Sequence, residues 1–271
     1  SLTVTGVNDA PVLTAASPSL GSTTEETAKV IALSGTFLNN GTGTTTITDL
    51  DTSAVVGGIA VTGVVGNGTW AYSTNGSTYT AIGTVSASSA LLLPKTASLR
   101  YTPDGKNGET ATITYRAWDT TTGTAGSKVS TATSGDSTAF SSTTDTASLT
   151  VTGVNDAPVL TAASPSLGST ALNTAKVISL SGTFLNNSTG TTTITDADTS
   201  AIVGGIALTG VTGTGTWAYS LDGSTFTSVG TVSTTSALLL PKTASLRFTP
   251  TGTGSQTATI SYRAWDTTTG T

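Results

Sequence analysis

Hydrophobic and polar residues alternate with a period of two in short runs along most of the chain, and turn signals separate the runs. In TATITYRAWD, Ala111, Ile113, Tyr115 and Ala117 fall on one face, with Thr112, Thr114, Arg116 and Trp118 on the other, so a strand with one wet face is predicted. SLRYT places Leu99 and Tyr101 opposite Ser98 and Arg100, and SLTVTGV places Leu2 and Val4 opposite Thr3 and Thr5. KVIALSG, GGIAVTGV, GTWAYS and ALLLP are further strand candidates. Asn75-Gly76, Asp222-Gly223, Pro103-Asp104-Gly105 and Asn39-Asn40-Gly41 supply turns between them. Trp70 with Tyr72, and Trp217 with Tyr219, read as core aromatics. Val, Ile, Leu and aromatics set among Thr suit a half-buried pleated surface, and strong helix formers are scarce. An all-β, antiparallel β-sandwich with little helix is expected.

The chain is also a tandem repeat. Shifted by 147 positions, residues 1–124 align with 148–271 without a gap, and the two stretches differ at 24 places. The word SLTVTGVNDAPVLTAASPSL opens both copies, at 1–20 and 148–167. A period this long indicates an array of whole domains rather than a solenoid. The boundary falls at GVNDAPV, residues 6–12 and 153–159, where Pro cannot donate to a ladder and holds Ala10 and Ala157 extended. Residues 1–7 then form the last strand of an upstream repeat, 8–154 the first domain, and 155–271 a second domain lacking its closing segment. With no Met at residue 1, the chain reads as a window from a longer polypeptide.

Composition removes several kinds of chemistry. Of 271 residues, 65 are Thr, 34 Ser and 31 Gly, and there is no Cys and no His. No thiolate nucleophile, disulfide framework or imidazole base is available. Lys95 and Lys242 lie near hydroxyls that this composition guarantees anywhere, so no Ser–Lys pair is inferred and no enzyme is expected. Ten scattered cations and a net charge of −5 argue against a nucleic-acid partner. No apolar run is long enough to insert into a membrane.

The few acids recur at matching places: Asn8, Asp9, Asp49, Asp51 and Asp119 in the first unit, and Asn155, Asp156, Asp196, Asp198 and Asp266 in the second. Each lies at a strand end or in a connection, and the strand count brings Asp49, Asp51 and Asp119 to the same pole as the Asn-Asp linker. Ca²⁺ takes six to eight hard oxygen ligands, and an Asp-x-Asp pair lets two carboxylates converge. The competing reading is turn chemistry copied by duplication.

GVNDAPVL, TITDxDTSA, GTWAYSxxGSTxTxxG, ALLLP and ITYRAWDTTTGTAG, in that order, resemble the cadherin-like and VCBS-like tandem repeats of very large bacterial surface proteins. The resemblance covers the whole chain. It implies tandem Ig-like sandwiches, type I-like secretion, an extracellular place at the cell surface, and a role in adhesion or a biofilm matrix. It also implies calcium at the joints between neighbouring repeats. The linker pattern Asp-x-Asn-Asp-x-x-Pro meets Asn155, Asp156 and Pro158, with Gly153 in place of the first Asp. Asp196, Asp198 and Asp266 match the downstream acids, as do Asp49, Asp51 and Asp119. An acid near the domain start corresponds to Glu25 or Glu26, where the second unit has Leu172 and Asn173. One ion per joint is therefore expected, making the chain a calcium-stiffened stalk segment.

Two alternatives come from other classes. Trp118 and Trp265, phased outward beside Arg116 and Arg263, would suit a glycan-binding module if their rings are exposed. Residues 1–7 could instead complete the second domain of another copy by strand addition, a head-to-tail contact that builds a filament without calcium.

Overall fold

The computed structural model describes residues 1–37, 46–51, 57–184, 193–199 and 204–270, so the Asn39-Asn40-Gly41 turn lies outside the described residues. It is an all-β protein that divides into two compact units, Ser1–Val154 and Asn155–Thr271. Among the described residues, helix is limited to the single turns Leu33–Thr36 and Leu180–Thr183, and no helix is long and apolar enough to cross a membrane. The run KVIALSG thus stops being a strand at Leu33. The pairing with Ser98–Thr102 ends at Ala32, and the helical turn that follows keeps Leu33 and Phe37, four residues apart, on one buried face.

The first unit packs two sheets around one core. In the larger, Lys128–Val129, Ala90–Pro94, Gly58–Val65, Glu109–Trp118, Asp145–Thr152 and Ser19–Thr24 lie side by side in that order. All neighbours are antiparallel except the last pair. The smaller sheet is antiparallel and runs Lys29–Ala32, Ser98–Thr102, Thr69–Ser73, Thr80–Ala81. The inner faces meet through Ile59, Val61, Ile113, Tyr115, Leu149 and Val151 on one side and Ile31, Trp70, Leu99 and Tyr101 on the other. Phe37 meets Tyr115 edge-on at 5.2 Å between ring centres.

Glu109–Trp118 keeps its predicted alternation up to Ala117. Trp118 departs from it. It is 2% exposed, covered on the outer face of the sheet by Ala139, Phe140 and Val129. Its indole N–H donates to the Thr122 carbonyl at 2.8 Å. The segment 125–147 folds over this face and buries it, which period-two phasing of one strand cannot reveal. Trp118 is therefore unavailable for stacking on a sugar, whereas its counterpart Trp265 is only partly buried.

The second unit repeats the smaller sheet as Lys176–Ser179, Ser245–Pro250, Gly215–Ser220 and Thr227–Ser228. Among the described residues its other sheet has three strands, Leu238–Pro241, Gly205–Val211 and Ile260–Trp265. Where the copies differ in the core, the changes compensate. In the first unit the Tyr101 hydroxyl donates both to Glu109 and, being also an acceptor, receives the Gly68 N–H. In the second unit Phe248 replaces Tyr101, and Gln256 replaces Glu109, bonding both the N–H and the carbonyl of Thr214. The Asn75 turn becomes Asp222, whose Oδ1 accepts from the same two backbone positions. Those amide donors hold the exposed Asp222 carboxyl well below its ordinary range.

Asp145 closes the first unit. Its carboxylate accepts the Tyr115 hydroxyl at 3.1 Å and the amides of Ala16 and Ser17 at 2.9 and 3.1 Å. Burial, followed by the Asp145 charge, pushes the Tyr115 phenol up, so it stays a neutral donor. Asp145→Ala leaves these donors unpaired in a dry site and is expected to cost about 3 kcal/mol. Calorimetry should show the first unit's transition falling while the second unit's stays in place. Equal stability of the variant would show that Asp145 is not a closing contact.

Candidate metal centre

In each unit the five predicted positions lie together at one end of the sandwich, joined by the same hydrogen bonds. In the first, Asn8 Nδ2 donates to Asp119 Oδ2 at 3.0 Å, the Asp9 amide to Asp51 Oδ2 at 2.9 Å, and the Asp51 amide to Asp49 Oδ1 at 3.0 Å. In the second, Asn155 Nδ2 donates to Asp266 Oδ2 at 3.0 Å, the Asp156 amide to Asp198 Oδ2 at 2.9 Å, and the Asp198 amide to Asp196 Oδ1 at 3.0 Å. Residues up to 111 positions apart thus converge, and the Asn-Asp linker is latched to its own downstream sandwich.

Local structure explains the placement. Val12–Leu13 pairs with Ile47–Thr48, so the linker and the start of the Asp-x-Asp segment run side by side. Val159–Leu160 and Ile194–Thr195 do the same. Asp119 ends the long strand Glu109–Trp118 and turns the chain at once. Its Oδ1 takes the Thr121 amide and hydroxyl at 2.8 and 2.7 Å, leaving Oδ2 for Asn8. Thr120 between them has φ +70°, and its counterpart Thr267 has +67°. A β-branched residue in this left-handed region is strained, and the strain is retained beside the carboxylate in both copies. Gly57 and Gly204 make room: a Cβ on Gly57 would meet the Thr120 methyl, and one on Gly204 the Thr267 methyl, at 2.1 Å.

The pole is rich in oxygen acceptors, and not all of them are paired. Asp119 and Asp266 are 3% and 7% exposed, and Asp49 Oδ2 is buried with no hydrogen-bond partner. The Asn8 amide faces four oxygens: Asp9 O at 3.2 Å, Asp119 Oδ2 at 3.0 Å, Ser137 O at 3.4 Å and Thr138 O at 3.2 Å. Two protons cannot satisfy four acceptors. Carboxylate, amide and carbonyl oxygens are the donor type that calcium takes, but among the described residues no three carboxylates of either pole bring one oxygen each within 4.8 Å of one another. The bonds among them are also ordinary Asx-type turn contacts, so the turn reading and the metal reading share these residues. The Ser137 and Thr138 carbonyls and the Asp145 latch carry no signal in the sequence, because Ser, Thr and Asp in a loop look alike whatever they face. Glu25 sits elsewhere in the first unit. Its Oε1 accepts the Val154 amide at 2.6 Å, so it secures the outgoing chain. No family model and no curated protein matches the chain.

The Asn155 amide, then the Thr268 amide, hold the Asp266 carboxyl below its ordinary range. A depressed folded-state pKa contributes stability above the unfolded carboxyl range and loses it as pH falls through the folded value. Asn155→Ala is expected to move the Asp266 titration upward and start the acid-side loss at higher pH. Carboxyl-carbon NMR titration checks this. An unmoved titration would assign the depression to the 267–268 turn alone.

Proposed function

We propose that the chain is a non-catalytic stalk segment of a large bacterial cell-surface adhesin or biofilm-matrix protein, built of Ig-like repeats and stiffened by calcium. The observation that carries this reading is the repeated acidic pole beside each linker, with Asp49 Oδ2 buried and unpartnered in the first. Asn8, Asp9, Asp49, Asp51 and Asp119 would hold one ion, and Asn155, Asp156, Asp196, Asp198 and Asp266 another. Unneutralised, four carboxylates at one pole repel one another and loosen the linker from the sandwich that follows it. A bound cation removes the repulsion and fixes the linker's direction, which turns a string of domains into a stiff spacer. Near-identity of the two copies, 100 positions of 124, supports a spacer, since repetition lengthens a stalk without new specificity. The missing His and Cys support a role without catalysis.

Calcium titration followed by calorimetry tests the proposal, with Asp196→Ala plus Asp198→Ala as control. Saturable binding is expected with a dissociation constant on the order of 0.1–1 mM, the range of extracellular modules. The second unit's unfolding temperature should rise with calcium, and the double variant should lack both effects. No heat and no stabilisation would leave these carboxylates as turn formers.

A further inference from the structure

The two units differ in a chemistry that asparagine carries out on itself. The first has the steps Asn40-Gly41, Asn67-Gly68, Asn75-Gly76 and Asn107-Gly108. The second has Asn187-Ser188, Thr214-Gly215, Asp222-Gly223 and Gly254-Ser255 in their places, and no Asn-Gly step. Asn before Gly is the step most open to cyclisation, because glycine has no side chain to hinder its own amide nitrogen. That nitrogen adds to the asparagine Cγ and a new C–N bond forms. The old Cγ–Nδ2 bond breaks, the amide proton leaves with the nitrogen as ammonia, and a succinimide remains. Water then opens the ring to aspartate or isoaspartate, so water is the one co-reactant.

Asn40-Gly41 lies outside the described residues, and the other three steps sit in different surroundings. Ring closure needs the peptide plane between Asn and Gly to rotate towards the side chain. At Asn67 the Gly68 N–H is committed to the Tyr101 hydroxyl at 2.7 Å, and a Cβ on Gly68 would collide with the Thr102 carbonyl. At Asn107 the following glycine is packed against the closing strand, where a Cβ on Gly108 would meet Gly153 N at 2.7 Å and Val151 O at 3.0 Å. Neither peptide has room to turn. Residues 74–78 are exposed, by contrast, and a Cβ on Gly76 would meet nothing within 4 Å. Among the described residues the Gly76 N–H donates no backbone hydrogen bond.

The electrophile at this turn is also surrounded by donors. Asn75 Oδ1 accepts from the Ser77 and Thr78 amides at 3.0 and 2.9 Å, and from the Ser73 and Ser77 hydroxyls at 2.9 and 3.2 Å. Negative charge develops on this oxygen as the nitrogen adds to Cγ, and donors already aimed at it stabilise that charge. The product has a place as well. Asp222 Oδ1 in the matching turn accepts from the Ser220 hydroxyl and the Ser224 and Thr225 amides at 2.9, 2.9 and 2.8 Å. We propose that Asn75 is a self-modification site, at which the first unit's turn deamidates through a succinimide with Gly76 into the aspartate turn that the second unit already has. The change adds a negative charge at an exposed hairpin and leaves the pairing of Ala71 with Ala81 and Tyr72 with Thr80 in register.

The test holds the whole folded chain at mildly alkaline pH, digests samples at intervals and follows the amide-to-acid mass change at each asparagine. Asn75 should convert at least roughly tenfold faster than Asn67 and Asn107. In concentrated urea the three rates should come together, because only the local Asn-Gly step remains. Ser73→Ala removes one donor to Oδ1 and should slow Asn75 by roughly three- to tenfold, with Asn67 and Asn107 as internal standards. Asn75→Asp should unfold at the same temperature as the starting chain. An Asn75 no faster than the other two in the folded chain would overturn the proposal. So would a faster Asn75 in Ser73→Ala, which would show that the bonds to Oδ1 hold the side chain away from Gly76. A ranking that survives in urea would assign the rates to local sequence, and a less stable Asn75→Asp would deny that the aspartate turn is accommodated; either result contradicts the proposal.

Discussion

The structure depends on one strand being paired along both edges. Asp145–Thr152 joins the sheet through Glu109–Trp118 and reaches Ser19–Thr24 on the other side. Its Asp145 binds a buried tyrosine and the backbone of residues 16–17. Each of those partners is regular because the strand is there. The second unit shows the converse with nearly the same sequence, since 166–171 and 256–259 have the residues of strands and lack strand geometry. β-structure in these segments comes from the partner and only weakly from local propensity.

The same dependence explains which parts of the fold were legible in the sequence. Alternation in Ala111, Ile113, Tyr115 and Ala117 faithfully reports the inner face, because inside and outside of one sheet have period two. Trp118 fails that rule because a covering segment buries the outer face there, and coverage by residues 125–147 is a tertiary event. KVIALSG misleads for a related reason. Leu33 continues the alternation, but the pairing ends at Ala32, and the buried Leu33 and Phe37 are met by a helical turn.

The acidic pole was readable because duplication repeated it. Asn8, Asp9, Asp49, Asp51 and Asp119 are ordinary turn residues singly, and their recurrence at a fixed offset, each at a strand end, brings them to one pole. Their function as linker latches was not readable, since Asn8 donating to Asp119 and Asp9 to Asp51 depend on the distance between loops. The carbonyls of Ser137 and Thr138, which complete the oxygen-rich surroundings of Asn8, belong to a loop whose composition says nothing of its direction. On the proposed reading, calcium would neutralise charges the protein has already brought together, so its binding should change rigidity far more than fold.

That consequence gives the most direct measurement. The chain has no Cys, so Ser88→Cys and Thr235→Cys place one spin label at equivalent exposed turns of the two units. Pulsed electron resonance then reports the distribution of distances between the labels. A distribution that is broad in chelator and narrows in millimolar calcium, with no narrowing when Asp196 and Asp198 are replaced by Ala, is the predicted result. The same width with and without calcium would contradict the account.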